Sequence, residues 1–304
     1  MELRDADLAV RTRGLTKSFG KRTVVDGLDL AIPRGGVYGF LGPNGSGKST
    51  TMKMLLGLLH PSAGQISLLG EDPWGEARAR LMPRIGSMIE HPPGYGHLTG
   101  AENMRLLARL LNLETTRIDR ALELVRLTDH RDRLQRTYSL GMKQRLGIAM
   151  ALVREPELLI LDEPTNGLDP AGIEEIRELM IHLASGGVTV MISSHLLDEI
   201  DRMADVLGVL SQGRLVFQGS REELFERSIP DLLVVTPQAD AAADLIRGCH
   251  LERNGIRVQG CDQEDAARLI VRLVQAGIPI HEVRRLQQSL EEVFMDLTGG
   301  AEAL

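Results

Sequence analysis

Nine residues, GPNGSGKST (42–50), restrict the fold of this chain more than any other stretch. The string fits G-x-x-x-x-G-K-[ST] in full. A short apolar run, GVYGFLG (36–42), leads into it, and STTMKMLLGLLH (49–60) leaves it with helical spacing. A strand, a glycine-rich turn and a helix in that order let backbone N–H groups curl around a phosphate chain, while the helix N-terminus adds positive potential. Gly42, Gly45 and Gly47 permit the curl, with Asn44 and Ser46 between them. Lys48 would reach the β- and γ-phosphates, Ser49 would ligate Mg²⁺, and Thr50 would lie near the α-phosphate. A glycine-rich turn with a surface lysine is the bland alternative, and the full motif in its strand–helix setting argues against it. The helix is expected to stop at Pro61.

A run such as 36–42 is a strand buried on both faces, which belongs in a largely parallel α/β sheet. GLDLAI (27–32) alternates with Leu28, Leu30 and Ile32 on one face and reads as a strand. Residues 97–154 read as helical, with Thr99 and Glu102 forming a capping box before NMRLLARLLNL and with TRIDRALELVRLT following. From 156 the strand–helix alternation returns. ELLILDEP and GVTVMISSH are strands, AGIEEIRELMIHLAS and LLDEIDRMAD are helices, and VLGVLSQGRLVFQG is a hairpin turning near Gln212–Gly213. Beyond about 220 the order becomes β-α-ββ-α-β, with Asn254–Gly255 as a hairpin turn and SLEEVFMDLTG as a closing helix.

LLILDEP (158–164) completes the site that the glycine-rich loop begins. Asp162, at a strand end, would hold Mg²⁺ through water, and Glu163 would polarise an attacking water. His195 follows VTVMISS at the carboxyl end of a strand, where α/β sites lie. A lone histidine is usually structural, but here it would contact the γ-phosphate, where charge develops.

Composition removes several classes of function. Net charge is −7 over 304 residues, which argues against nucleic acid as a partner. No apolar run approaches the ~20 residues a membrane span needs, and MELRDADLAV lacks the features of a signal peptide. Cys249 and Cys261 fit no disulfide framework or metal spacing and read as reduced thiols. Aromatics are only 3% of the chain, so the core must be mostly aliphatic.

The ordered set of P-loop, helical insert, YSLGMKQR (138–145), LLILDEP, GLDP (167–170) and SSH (193–195) resembles an ATP-binding cassette (ABC) ATPase. The resemblance covers residues 1 to about 220. It implies a P-loop cassette with a parallel-sheet core, an antiparallel β subdomain and a helical subdomain at about 91–154. A small accessory α/β domain would then occupy 221–304. In that family the YSLGMKQR position is the signature, which acts in trans across a head-to-tail homodimer formed on ATP. Ser139 can donate to the γ-phosphate, Gly141 permits close backbone approach, and the helix starting near Leu140 aims its positive end at the nucleotide. The resemblance further implies that Asp169 contacts the partner subunit and that Phe19 stacks on adenine, a core phenylalanine being the equal alternative.

Two positions depart from the family pattern. Leu140-Gly141-Met142 replaces Gly-Gly-Gln, so Ser139 has no reciprocal capping partner, and Glu90 stands where a glutamine is usual. The wording around both is similar to the ATPases of the bacitracin/lantibiotic export group, which tolerates these changes. A metal role for Glu90 is set against a solvated turn next to Pro92–Pro93. The function implied is the ATP- and Mg²⁺-using subunit of an exporter. It would be peripheral at the cytoplasmic face, docked on a separate permease, and its cargo would be a peptide antibiotic or other drug. A soluble cassette ATPase serving translation or DNA maintenance is the alternative. A generic P-loop kinase or GTPase would leave the signature unexplained.

Overall fold

The computed structural model describes residues 5–227, 229–246, 248–286 and 292–294. The chain divides into two compact units, Met1–Ser220 and Arg221–Gly300. Among the described residues no helix is long and apolar enough to cross a membrane.

The first unit begins with an antiparallel sheet built on one twelve-residue strand, β1 (Leu8–Phe19). β2 (Arg22–Leu28) pairs with its carboxyl half and β3 (Ala31–Pro33) with its amino half, while β5 (Ala63–Leu68) pairs with Val10–Thr16. The expected single strand at 27–32 is therefore two. Leu28, Leu30 and Ile32 are buried in alternation as the pattern requires, but a side chain enters the ladder. The Thr12 hydroxyl donates to Leu28 O at 2.7 Å and accepts from Leu30 N–H at 2.8 Å. Asp29 Oδ1 accepts Gly14 N–H at 2.6 Å.

β4 (Val37–Leu41) is buried at every position and feeds α1 (Lys48–Leu55). The helix ends well before Pro61. Gly57 takes φ 65°, and Leu58 N–H folds back to Lys53 O at 2.9 Å. A left-handed glycine terminates this helix, and proline does not.

Next come α2 (Arg78–Leu81), β6 (Ile85–Met88), α3 (Gly100–Leu111), α4 (Thr115–Leu124) and α5 (Leu140–Leu152). Thr99 and Glu102 form the reciprocal box that starts α3. β7 (Leu158–Asp162), α6 (Pro170–Ser185), β8 (Thr189–Ser194), α7 (Leu197–Asp201), β9 (Val206–Ser211) and β10 (Arg214–Gly219) complete the unit. Gln212 and Gly213, both at positive φ, turn the β9–β10 hairpin.

The six-stranded sheet runs β10-β9-β4-β8-β7-β6, parallel except at β10. β4, β7 and β8 are buried throughout, as continuous apolar runs in a doubly covered parallel sheet must be. Their carboxyl ends carry the P-loop, Asp162 and Ser194, so the topology delivers three chemistry-bearing segments to one end of the sheet.

The second unit starts with α8 (Arg221–Arg227) and continues as β11 (Asp231–Val235), α9 (Ala239–Leu245), β12 (Cys249–Glu252), β13 (Gly255–Val258), α10 (Gln263–Gln275) and β14 (Glu282–Leu286). Its sheet is antiparallel in the order β12-β13-β11-β14, a ferredoxin-like arrangement. The hairpin turn falls one residue earlier than expected, at Arg253–Asn254, because Glu252 already pairs with Gly255. Gly255 serves packing: a Cβ there would lie 2.0 Å from Val234 O on the adjacent strand. Cys249 and Cys261 are free thiols, and burial raises the Cys261 pKa. The expected closing helix at 289–299 lies outside the described residues except for 292–294, which are helical.

Candidate functional site

The loop after β4 is held down by backbone contacts. Gly47 has φ 109°, and a Cβ there would stand 2.9 Å from Val24 O, so the loop lies directly on β2. Ser46 O accepts Gly213 N–H at 3.0 Å. The buried Ser46 hydroxyl has no partner. Lys48 is 5% exposed, and its Nζ donates to Gly42 O at 2.6 Å and to Pro43 O at 3.3 Å. Burial pulls the Lys48 pKa below the ordinary lysine range, although the Glu163 and Asp162 carboxylates pull the other way. The loop is thus a fixed nest with a desolvated cation and an unspent hydroxyl, which suits a phosphate group.

The facing wall comes from β7 and β8, whose parallel register sets Asp162 beside Ser193. Ser193 Oγ donates to Asp162 Oδ1 at 2.6 Å and accepts Glu163 N–H at 2.9 Å. One hydroxyl therefore fixes both acidic residues. Glu163 turns off the strand in the left-handed region, φ 47°, a conformation that L-residues hold only when their surroundings enforce it. The turn directs its carboxylate back over the loop. Oε1 lies 3.8 Å from Lys48 Nζ, and Oε2 lies 3.3 Å from His195 Nδ1 and accepts from Asn166 Nδ2 at 3.3 Å.

One cleft is lined by Ser49, Glu90, Asp162, Glu163, Leu140, Gln144 and Asn166, among others. Glu90, also left-handed at φ 68°, forms an ion pair with Lys53 of α1. The hydrogen bond from Lys53 holds the Glu90 carboxyl below the usual carboxylate range. Lys48, Ser49, Asp162, Glu163, His195 and Glu90 are therefore brought to one region.

The other anticipated residues lie outside this group or on the loop itself. Ser139 caps α5 alone, accepting Met142 N–H at 3.2 Å, and its own O–H proton stays free to donate. Gly141 is under no pressure from its own chain: a Cβ there would meet only Leu168 Cδ2, at 3.6 Å. Asp169 is exposed and caps α6, accepting Gly172 N–H at 3.1 Å. Phe19 is 51% exposed, so it is not a core residue, and Lys17 Nζ sits 5.1 Å from its ring centre. Asn44 and Gly45 are exposed on the loop, and Thr50 is half-buried.

Sequence reasoning missed four participants. Ser193 was visible in SSH, but only strand register reveals that it bridges two carboxylates. Asn166 and Lys53 became identifiable only through their contacts to Glu163 and Glu90. Gln144, two residues past Met142, is buried, and its Oε1 has no partner in the cleft.

Comparison with known proteins places this geometry in context. The family model described as ABC transporter matches residues 25–166. A bacitracin transport ATP-binding protein of Enterococcus faecalis is 39% identical, covering 97% of this chain and 97% of that protein. A lantibiotic transport ATP-binding protein of Streptococcus pyogenes is 44% identical over 72% of this chain and 97% of its own length. A daunorubicin/doxorubicin resistance ATP-binding protein of Streptomyces peucetius is 36% identical over 96% of this chain and 92% of that one. Among solved structures, an ATP-binding subunit of an ABC transporter superposes with TM-score 0.65 at 29% identity, covering 72% of this chain and 92% of that one.

Proposed function

The chain belongs to the ABC transporter family as an ATP-binding, ATP-hydrolysing subunit, and from that premise we propose a specific division of labour among its residues. The observation that carries the reading is the Glu163 carboxylate standing between Lys48 and His195 at the mouth of the P-loop. Lys48, the loop N–H groups and the free Ser46 hydroxyl hold the β- and γ-phosphates. Glu163 accepts a hydrogen bond from the attacking water. That water's oxygen bonds to the γ-phosphorus as the bond to the bridging oxygen breaks, releasing ADP and phosphate. His195 donates to the γ-phosphate as charge spreads onto its oxygens.

The donor set also suits Mg²⁺. Ser49 and Asp162 offer hard oxygens and Glu90 a third at the rim, all in one cleft. Mg²⁺ is held through one or two carboxylates together with substrate phosphates and water, without a closed protein cage. When bound it neutralises phosphate charge. Asp162 is kept pointing at that place by the Ser193 hydrogen bond.

Ser139 and Gly141 complete the ATP site of a second copy, in a head-to-tail homodimer that closes on ATP. The free Ser139 O–H and the absence of crowding at Gly141 support this. Asp169 contacts the partner, and the exposed Phe19 stacks on adenine. Residues 221–304 form a separate accessory domain. The subunit is peripheral at the cytoplasmic face of the membrane, docked on a permease. Its cargo is a peptide antibiotic or another amphipathic drug, as the names of its relatives suggest. Glu163→Gln tests the core of the reading. ATP binding should persist, turnover should largely vanish, and ATP should trap a dimer detectable by size-exclusion chromatography. Near-normal hydrolysis would remove Glu163 from its role.

A further inference from the structure

Ser193 provides one link between the ends of β7 and β8, and a second link runs through α7. Glu199, half-buried on that helix, accepts from two hydroxyls on a single oxygen. The Thr165 hydroxyl donates to Glu199 Oε2, and the Ser194 hydroxyl donates to the same oxygen at the longer distance of 3.4 Å. Thr165 and Ser194 are both buried, and buried hydroxyls need a partner within the protein. Ser193 and Ser194 are consecutive in β8, and neighbours in a strand point to opposite faces. Ser193 therefore secures Asp162 and Glu163, while Ser194 turns to α7.

Both hydroxyls sit beside the groups assigned to hydrolysis. Thr165 lies two residues beyond Glu163, in a turn closed by Asn166 N–H to Glu163 O at 3.2 Å and by Leu168 N–H to Thr165 O at 3.1 Å. Ser194 precedes His195, and its Oγ also accepts Leu196 N–H at 2.9 Å, so the serine brackets the histidine backbone. α7 begins at Leu197, which places Glu199 four residues after His195. Little chain separates Glu199 or Thr165 from the group each would steady.

The simpler reading makes Glu199 an acceptor for two buried hydroxyls and nothing more. The two hydroxyls, however, come from different turns, and the side chains those turns carry, Glu163 and His195, stand 3.3 Å apart. Groups that close must keep their spacing although their backbones leave separate strands. A carboxylate that accepts from both turns fixes that spacing, and its charge strengthens both bonds.

We propose that Glu199 is a positioning residue for ATP hydrolysis: its Oε2, shared by Thr165 and Ser194, sets the turn bearing Glu163 against the turn bearing His195. The inference rests on the roles proposed above for Glu163 and His195. Glu199 acts through these turns and not on ATP.

Glu199→Ala and Thr165→Val break the tie from its two ends, the second with almost no change of shape. In the purified transporter, turnover would be counted per ATP-binding site, measured by equilibrium binding on the same sample, so that unfolded subunit does not enter. Misplacing a catalytic group by about 1 Å can cost about a hundredfold, so each variant should lower kcat by roughly tenfold to a hundredfold. ATP affinity should stay within about twofold of wild type, the mark of an interaction that serves turnover and not binding. The double variant should be no worse than Glu199→Ala alone, because both changes remove one interaction. Glu199→Gln, which keeps an acceptor oxygen without the charge, should fall between Glu199→Ala and wild type. Glu163→Gln and His195→Ala, measured alongside, separate this inference from the reading beneath it. If those two hydrolyse ATP like wild type, the roles of Glu163 and His195 fail and the inference fails with them. The inference alone is overturned if those two are impaired while Glu199→Ala and Thr165→Val match wild type, if the two losses multiply in the double variant, or if ATP affinity falls as far as turnover.

Discussion

His195 Nδ1 stands 3.3 Å from Glu163 Oε2, yet no hydrogen bond joins them. Glu163 Oε2 is already met by Asn166. A histidine held this close to a carboxylate without being committed to it keeps its donor capacity for a third group, and a γ-phosphate has oxygens to receive it. His195→Ala should therefore lower kcat by about 10²–10³, the usual loss for one transition-state donor. The KM for ATP should change far less if, as proposed, Lys48 and the loop supply ground-state binding. Steady-state ATP hydrolysis by the purified transporter separates the two. An equal change in KM with kcat preserved would mean that His195 only binds ATP.

Ser193 makes a stability prediction. Its hydroxyl holds the buried Asp162 and also satisfies Glu163 N–H. Ser193→Ala leaves an N–H and a carboxylate oxygen short of a partner, at a cost of about 1–3 kcal/mol. It also releases Glu163 from the backbone contact that accompanies its left-handed conformation. Thermal denaturation should register the loss. Hydrolysis should fall further than in a variant of equal stability made elsewhere in the core.

These two residues mark how far the sequence was legible. The P-loop, Asp162, Glu163 and His195 sit on motifs whose spacing carries the chemistry, and the strands that hold them are apolar enough to identify. Parallel register is not written locally, so the pairing of Asp162 with Ser193 became visible only when β7 lay beside β8. The errors have the same origin. The break between β2 and β3 depends on Thr12, which is distant in sequence, and the need for Gly255 depends on Val234 of another strand. The end of α1 is different. Gly57 is a local stop signal in the sequence, and its left-handed backbone ends the helix before Pro61 is reached.

The shared-site reading predicts rescue by mixing. Lys48→Ala and Ser139→Ala homodimers should both be inactive, since each damages every site. A mixed dimer carries both lesions in one site and none in the other, so hydrolysis should return on mixing. The mixture should approach a quarter of wild-type turnover if subunits mix at random, half the dimers are mixed and one intact site works independently, an order-of-magnitude expectation of about 25% from simple association statistics. Activity that stays absent over a full mixing range, with mixed dimers demonstrated by differential tagging, would put Ser139 outside the site.

Glu90 and Lys53 give a prediction with opposite signs. Lys53 pairs with the Glu90 carboxylate and lowers its pKa. The contribution of this exposed pair to folding is therefore present above the ordinary carboxylate pKa and lost as pH falls through the lowered one. Near neutral pH the carboxylate is charged, and on the proposed metal reading Lys53 would compete with Mg²⁺ for it. Glu90→Gln keeps the side-chain shape but lends Mg²⁺ only a neutral oxygen. It should preserve ATP binding and raise the Mg²⁺ concentration needed for half-maximal hydrolysis. Lys53→Met removes the competitor and should lower that concentration. Glu90 also lies between β6 and α3, at the entrance to the helical segment, so Glu90→Ala should reduce cargo moved per ATP in the reconstituted transporter. Mg²⁺ titrations at fixed ATP test the first pair of variants, and simultaneous export and hydrolysis assays test the third. If all three variants match wild type, the Lys53–Glu90 pair is a surface contact at a turn and the metal reading of Glu90 is wrong.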